Sequence, residues 1–121
     1  MSSLDKKILI CHTIGVLKNI TLDARADKEI SKFPKSVRVK LWAYIDQLNE
    51  KGELKKPFAK KIKSKPDLFE IRVKHQGIWR VLYAYIHKEE IILLSGFQKK
   101  TQKTPVREIN KAISRLYQYI S

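Results

Sequence analysis

Three stretches with the features of β-strands follow one another between residues 68 and 97, and they leave few choices of fold. Leu68–Lys74 alternates apolar and polar residues, as a strand with one buried face does. Ile78–Ile86 is aromatic and β-branched, with a single charge, Arg80, near its middle. Glu90–Phe97 contains the apolar run IILLSGF, which predicts a central strand covered on both faces. We therefore expect an antiparallel-rich sheet that other elements cover.

Helical patterns precede the strands. Asp23 suits the N-cap of a first helix over Ala24–Phe33, which Pro34 interrupts. A second, longer helix is predicted over about Lys35–Lys51, with apolar residues at helical spacing and Gly52 at its end. The two helices form a hairpin that needs a sheet to pack on.

The two ends of the chain complete the order of elements. Of two strand-like stretches near the N-terminus, Ile8–Ile14 and Val16–Leu22, we favour the second for pairing with the later sheet. At the other end, Thr104 suits an N-cap and Pro105 the first turn of a helix that reaches Ile120. The sequence predicts an α+β fold in the order β-α-α-β-β-β-α, with helices packed against one sheet.

Length and charge limit the classes of function. A chain of 121 residues can build one core, so a single domain over residues 1–121 is predicted. It has 26 Lys and Arg against 12 Asp and Glu, a net charge of +14. Such a charge on a small domain favours a polyanionic partner, usually nucleic acid. The alternative is a soluble surface that is simply rich in lysine.

A lysine-rich stretch, Gly52–Pro66, connects the helical hairpin to the strands. It contains two prolines and no clear periodicity, so we predict an ordered loop. Its lysines would raise the local potential and steer RNA inward, although a solvated loop is the alternative. These residues are Lys55, Lys56, Lys60, Lys61, Lys63 and Lys65.

Disulfide, metal and membrane chemistry are not indicated. The single cysteine, Cys11, excludes an internal disulfide and fits the cytoplasm, where we expect the protein to act. The histidines are scattered and no Cys/His group has metal-ligand spacing, so neither a metal nor a cofactor is predicted. The N-terminal apolar stretch is too short for a signal peptide or a membrane span, and no membrane partner is expected.

Three runs of sequence carry a resemblance to a known family. LFEIRV and GIWRVLY lie on the first two of the three strands, and IILLSGFQKKTQKTP covers the third strand and the start of the last helix. Together they resemble the RelE superfamily of bacterial toxins, most closely its phage-derived, HigB-type branch. The resemblance covers about residues 16–120. Residues 1–15 fall outside it and have no assigned role.

The resemblance implies a function and partners. Such toxins are small basic proteins encoded beside an antitoxin, and many cleave messenger RNA in the ribosomal A site. We therefore expect an endoribonuclease toxin of a type II toxin–antitoxin system, which acts on messenger RNA and the ribosome and inhibits translation. Its expected partner is a small helix-turn-helix antitoxin encoded nearby, and operator DNA would be contacted only through that antitoxin.

The resemblance also implies catalytic residues. Cleavage by attack of the 2′-hydroxyl needs a proton acceptor, cations for the charge that grows on phosphorus, and an acid for the leaving oxygen. Arg80 matches the strand arginine that holds the scissile phosphate. Arg72 falls where the family has a lysine on the preceding strand, and Lys100 where it has a basic residue after the last strand. Glu70 stands where RelE has a lysine, and the tyrosine at the start of RelE's final helix has no match here.

Each of these assignments has a structural alternative. Arg80 can simply pair with Glu70 across adjacent strands, and Arg72 can lie on a solvated strand face. His75 and Glu70 are the candidates for general acid or base, although a histidine in a turn is more often a surface residue. For Trp79, core packing is favoured over stacking on bases. RNA binding is assigned to Lys56, Lys60, Lys61, Lys74, Lys99 and Lys103.

Two classes of function remain open. One is a ribosome-dependent endoribonuclease. The other is a protein that only binds, either a gyrase poison like the related ParE branch or a nucleic-acid-binding module without catalysis. The ParE branch typically lacks the basic catalytic set, so the presence of Arg72, Arg80, Lys99 and Lys100 favours cleavage.

Overall fold

A five-stranded mixed sheet carries the helices on its two faces. The computed structural model of the chain describes residues 19–54, 58–86, 90–99 and 103–120. Its strands are β1 (Asn19–Leu22), β2 (Ala59–Ile62), β3 (Leu68–Lys74), β4 (Ile78–Ile86) and β5 (Glu90–Lys99), and its helices are α1 (Ala24–Ser31), α2 (Lys35–Lys51) and α3 (Val106–Ile120).

The spatial order of the strands is β1-β5-β4-β3-β2. The strand β1 runs parallel to β5, and all other neighbouring strands are antiparallel. The α+β class and the antiparallel-rich sheet are confirmed. The described part of Val16–Leu22 pairs with β5 as expected, whereas Ile8–Ile14 and the rest of residues 1–18 lie outside the described residues.

The prediction that Gly52–Pro66 is entirely a loop is wrong, because this stretch contains β2. Ala59 and Ile62 are buried in the cores on opposite faces of the sheet, while Lys60 and Lys61 between them are exposed. Two apolar residues among many lysines give too short a pattern to predict a strand. Lysines are common on edge strands, where they discourage pairing with other chains. The stretch is therefore a basic edge of the sheet.

The strand β5 is covered on both faces, as its apolar run predicts. Ile91 and Leu93 pack in the core beneath α1 and α2, and Ile92 and Leu94 pack in the core beneath α3. The helix α1 approaches β5 closely at Gly96, where a Cβ atom would lie 2.9 Å from Ile30. A side chain at this position would push α1 away from the sheet.

Two side chains close the edge of β5 beyond the point where β1 ends. The pairing with β1 stops at Leu93. Further along, the Gly96 N–H donates to Glu29 Oε1 at 3.1 Å, and Arg115 Nη1 donates to the Leu94 carbonyl at 2.8 Å. Arg115 also binds the Glu29 carboxylate through both Nη atoms, at 2.9 and 3.0 Å. This ion pair joins α1 to α3 and satisfies two backbone groups of the strand edge.

The N-cap at Asp23 is confirmed, and it also anchors the end of α3. Asp23 is buried and accepts hydrogen bonds from the backbone N–H groups of Arg25 and Ala26. The hydroxyl of Tyr119, near the end of α3, donates to Asp23 Oδ2 at 2.6 Å. Burial alone would raise the pKa of Asp23, but the hydrogen bonds from Arg25, Tyr119 and the helix backbone lower it to about 2.

A pH-dependent loss of stability follows from this lowered pKa. Since the folded-state value lies below the ordinary 3.8, the ionised carboxylate stabilises the fold above about pH 4, and this contribution is lost as the pH falls towards 2. The variant Asp23→Asn keeps the cap but not the charge. We expect its free energy of unfolding at pH 6 to be about 2 kcal/mol lower than that of wild type. Urea unfolding measured between pH 2 and pH 6 should show this difference vanish at the acid end. A difference that stays constant with pH would assign it to packing instead.

No helix in the described ranges is both long and apolar enough to cross a membrane.

Candidate active site

The alternation along β3 and β4 places one carboxylate and two arginines on the face of the sheet that α3 covers. Arg72 on β3 lies directly opposite Arg80 on β4, and Glu70 lies opposite Leu82. Leu82 belongs to the core beneath α3, so the side chains in register with it point the same way. Two like charges directly opposite each other in a sheet repel, and they need a counterion.

Glu70 is that counterion. Its carboxylate is fully buried, with Oε1 2.7 Å from Arg72 Nε and Oε2 3.4 Å from Arg80 Nη1. A buried carboxylate and a buried guanidinium are each costly unless they are paired and hydrogen-bonded. The ion pair that the sequence offered as the structural alternative for Arg80 is therefore present, and it includes Arg72 as well.

Thr104 completes the group, and its predicted role as the N-cap of α3 is wrong. The helix begins at Val106, and the Pro105 carbonyl accepts its first hydrogen bonds, from the N–H groups of Glu108 and Ile109. The Thr104 hydroxyl instead donates to Glu70 Oε2 and accepts from Arg80 Nη1 at 3.2 Å. Cap signals in the sequence cannot reveal this role, because the partners are 34 and 24 residues away. We refer to Glu70, Arg72, Arg80 and Thr104 as the arginine cluster.

The two arginines differ in their access to solvent. The Arg72 side chain is 27% exposed, whereas that of Arg80 has no exposed surface. Burial lowers the pKa of Arg80, the Glu70 carboxylate opposes this change and Arg72 adds to it. Arginine stays protonated even so, since its ordinary pKa is far above neutrality. Arg72 is thus the cation that a phosphate can reach directly, and Arg80 is a fixed charge behind it.

Two of the predicted RNA-binding lysines lie on the same face as the arginine cluster. Lys60 on β2 is directly opposite Glu70, and Lys74 ends β3 two residues after Arg72; both lysines are exposed. Both can therefore raise the positive potential around Arg72.

The other predicted lysines are placed differently. Lys61 belongs to the opposite face and lies 3.5 Å from the Asp67 carboxylate, with both side chains largely exposed. Lys103 is exposed beside Thr104. The backbone of Lys99 pairs with Ile78 at the end of β5, and its side chain is not described. Lys56 and the catalytic candidate Lys100 lie outside the described residues.

His75 lies away from the arginine cluster. It stands in the turn between β3 and β4, where its Nε2 is 3.3 Å from the Ser36 hydroxyl at the start of α2. The helix α2 covers the other face of the sheet. Trp79 packs on this face, with its ring 4.9 Å from that of Phe33, and its Nε1 donates to the His75 carbonyl. These contacts favour core packing for Trp79.

No group of three or more His, Cys, Asp or Glu residues within the described ranges could hold a metal ion.

Comparison with known proteins first defines the class of fold. The chain is similar to a solved structure of the E. coli toxin RelE, a free-state variant with two arginines replaced by alanine. The TM-score is 0.60 with 20% sequence identity, over 88% of this chain and 99% of that one. The fold is thus RelE-like.

The sequence then identifies the family. Residues 28–117 match the family described as phage-derived protein Gp49-like (DUF891), and the chain belongs to this family. No curated protein sequence matches the chain. The predicted resemblance to the phage-derived branch of the RelE superfamily is confirmed.

Proposed function

We propose that this protein is the toxin of a type II toxin–antitoxin system, an endoribonuclease that cleaves messenger RNA on the ribosome and inhibits translation. The observation that supports it best is the arginine cluster, which sits on one sheet face of a strongly basic, RelE-like domain. Two guanidinium groups held side by side suit a phosphodiester, whose negative charge increases in the transition state.

Arg72 carries the direct contact in this proposal. Its Nε is held by Glu70 at 2.7 Å, so the guanidinium is oriented before RNA arrives, and its exposed part can bind a phosphate oxygen. The 2′-oxygen of RNA attacks the adjacent phosphorus, the bond to the 5′-oxygen breaks, and the guanidinium stabilises the charge that builds up between these events. Arg80 adds positive potential from its buried position, where solvent screens charges little. Arg80 has no exposed surface, so it can touch the phosphate itself only if its surroundings rearrange.

Proton transfer is assigned to the remaining candidates. Glu70 is the carboxylate nearest the arginines, and it can accept the 2′-hydroxyl proton when one of its three present donors leaves. His75 would need to turn from Ser36 towards the other face. Lys100 stays a catalytic candidate, because the resemblance places it where the family has a basic residue after the last strand.

The proposed partner is an antitoxin with acidic and apolar surfaces, which acts in the cytoplasm with the toxin. Its apolar contact is proposed on α3, where a stripe of apolar residues lies beside the buried face of the helix. Val106 and Tyr117 on this stripe are 67% and 51% exposed, although both are large apolar side chains. An exposed apolar stripe on a soluble domain is typical of an interaction site. Its acidic contact would neutralise the basic face that attracts RNA.

A binding-only protein, such as a gyrase poison, is the second candidate. The observation that favours it is the complete burial of Arg80 against Glu70 and Thr104, which is what a purely structural ion pair would also show. The two candidates differ in whether RNA is cut.

Brief induced expression distinguishes these two functions. We expect protein synthesis to stop and new transcript ends to accumulate within coding regions, and purified protein to cut ribosome-bound message. Expression of Arg72→Ala at the same level is the matched control and should leave transcripts intact. Continued translation with a loss of DNA supercoiling would reject the endoribonuclease and support the gyrase poison.

A further inference from the structure

We propose that Thr104 is a positioning residue that holds Arg80 and Glu70 in place, and thereby sets the orientation of Arg72 for cleavage. The inference rests on the proposed function, because it assigns the residue to the same site. The residues that the resemblance implicates do not include Thr104, and its own sequence signal indicates only a helix cap.

The distances within the arginine cluster show why a third group is needed. Arg72 Nε lies 2.7 Å from Glu70, within the range of a strong charge-assisted bond. Arg80 Nη1 lies 3.4 Å from Glu70, beyond the usual range of about 2.7–3.2 Å for an N–H···O bond. The Thr104 hydroxyl joins the two, since it accepts from Arg80 Nη1 at 3.2 Å and donates to the same carboxylate oxygen. The hydroxyl therefore bridges Arg80 and Glu70 beside their long direct contact.

The backbone around Thr104 is suited to hold that hydroxyl still. The next residue, Pro105, has a fixed φ, and a residue before proline has a restricted backbone. Two residues further on begins α3, which is fixed by the buried Ala112 and Leu116 and by the ion pair of Arg115 with Glu29. A donor fixed in this way loses little entropy when it holds the carboxylate.

The consequence is an indirect path from Thr104 to the substrate. Glu70 uses one oxygen for Arg72 and the other for Thr104 and Arg80. Without the hydroxyl, the carboxylate can turn towards Arg80 to shorten their 3.4 Å contact, and this movement draws it away from Arg72. Arg72 would still attract RNA, but its guanidinium would be less well aligned with the phosphate in the transition state.

Two substitutions separate the hydroxyl from the shape of the side chain. Thr104→Val keeps the shape and removes the hydroxyl, whereas Thr104→Ser keeps the hydroxyl and removes a methyl group. In cleavage of ribosome-bound message, we expect Thr104→Val to lower kcat about 10-fold, the effect of one lost hydrogen bond to a charged group, with KM nearly unchanged. Thr104→Ser should remain close to wild type. Equal losses in both variants, a wild-type kcat in Thr104→Val, or a change confined to KM would overturn the proposal.

A second measurement does not depend on cleavage. In a double-mutant cycle on urea unfolding, Thr104→Val and Glu70→Gln should be non-additive, by about 3- to 10-fold in the unfolding equilibrium constant. Additive effects would show that the hydroxyl does not support the carboxylate, and the positioning role would be wrong. If the cycle shows coupling but wild type cuts no RNA, the proposed function fails and Thr104 positions the arginines for another anionic ligand.

Discussion

Replacing Arg72 with alanine is expected to lower the rate of messenger RNA cleavage about 10²–10³-fold, the scale seen when one preorganised donor to a transition state is removed. Arg72 is the partly exposed arginine of the cluster, with 27% of its side chain exposed, and Glu70 holds it by its Nε, so RNA can reach an oriented guanidinium. Single-turnover cleavage of ribosome-bound message measures the effect. Arg72→Lys should recover only part of the rate, because an ammonium keeps the charge but cannot bind a phosphate bidentately.

Lys74→Ala is the matched control for charge. Lys74 lies two residues along the same face of β3 and is exposed, so it contributes to the potential, and no buried carboxylate among the described residues holds it. Its loss should weaken binding a few-fold, and this effect should shrink as the salt concentration rises. Equal, salt-sensitive losses in both variants would mean that Arg72 only attracts RNA, and the catalytic assignment would be wrong.

Local patterns in the sequence account for most of the fold. The bounds of β3 and β4 agree with the alternation and the β-branched composition of these stretches. The helix α2 ends at Lys51 and is capped by Gly52, which adopts the left-handed conformation with φ of 76°. These elements are set by features within a few residues of each other. The strand β2 was missed because Ala59 and Ile62 carry its burial alone, and its pairing with β3 is a tertiary contact.

The candidate site was predictable only in part, for the same reason. The pairing of Glu70 with Arg80 across adjacent strands is an alternative that the sequence itself indicates. The position of Arg72 directly opposite Arg80 depends on the register of the two strands, which the sequence does not predict. The direct bond of Arg72 to Glu70 lies within one strand, but it depends on which side-chain conformations the burial selects. Thr104 reaches the cluster only because α3 packs on the same face of the sheet, and no local pattern in the sequence predicts that packing.

The arginine cluster therefore has the composition of an anion site with its own anion built in. Glu70 neutralises one of two opposed guanidinium charges, and the cluster keeps a net positive charge that Lys60 and Lys74 reinforce from the same face. This arrangement explains how two arginines can lie side by side in the folded protein when no RNA is bound. It also predicts what happens when the internal carboxylate is removed.

Glu70→Ala is expected to lower the free energy of unfolding by roughly 3–5 kcal/mol, the range found when one partner of a buried ion pair is removed. Arg80 would then be a buried cation without its carboxylate, opposite the like charge of Arg72. Urea unfolding of purified wild type and variant measures the loss. The double variant Glu70→Ala/Arg80→Met removes the buried cation as well, and it should recover a large part of the stability.

The single variant Glu70→Ala should be stabilised by oxyanions, and this stabilisation distinguishes an anion site from an ordinary ion pair. Sulfate or phosphate can enter the space of the lost carboxylate and bind both arginines, so Glu70→Ala should gain more stability in sodium sulfate than in sodium chloride of equal ionic strength. Sulfate also stabilises folded proteins in general, and Glu70→Ala/Arg80→Met measures that background. An excess gain in the single variant would show that the two arginines accept a tetrahedral oxyanion, as a phosphodiester requires. If both variants gain equally, Arg72 and Arg80 do not form an anion site, and the pair with Glu70 is structural.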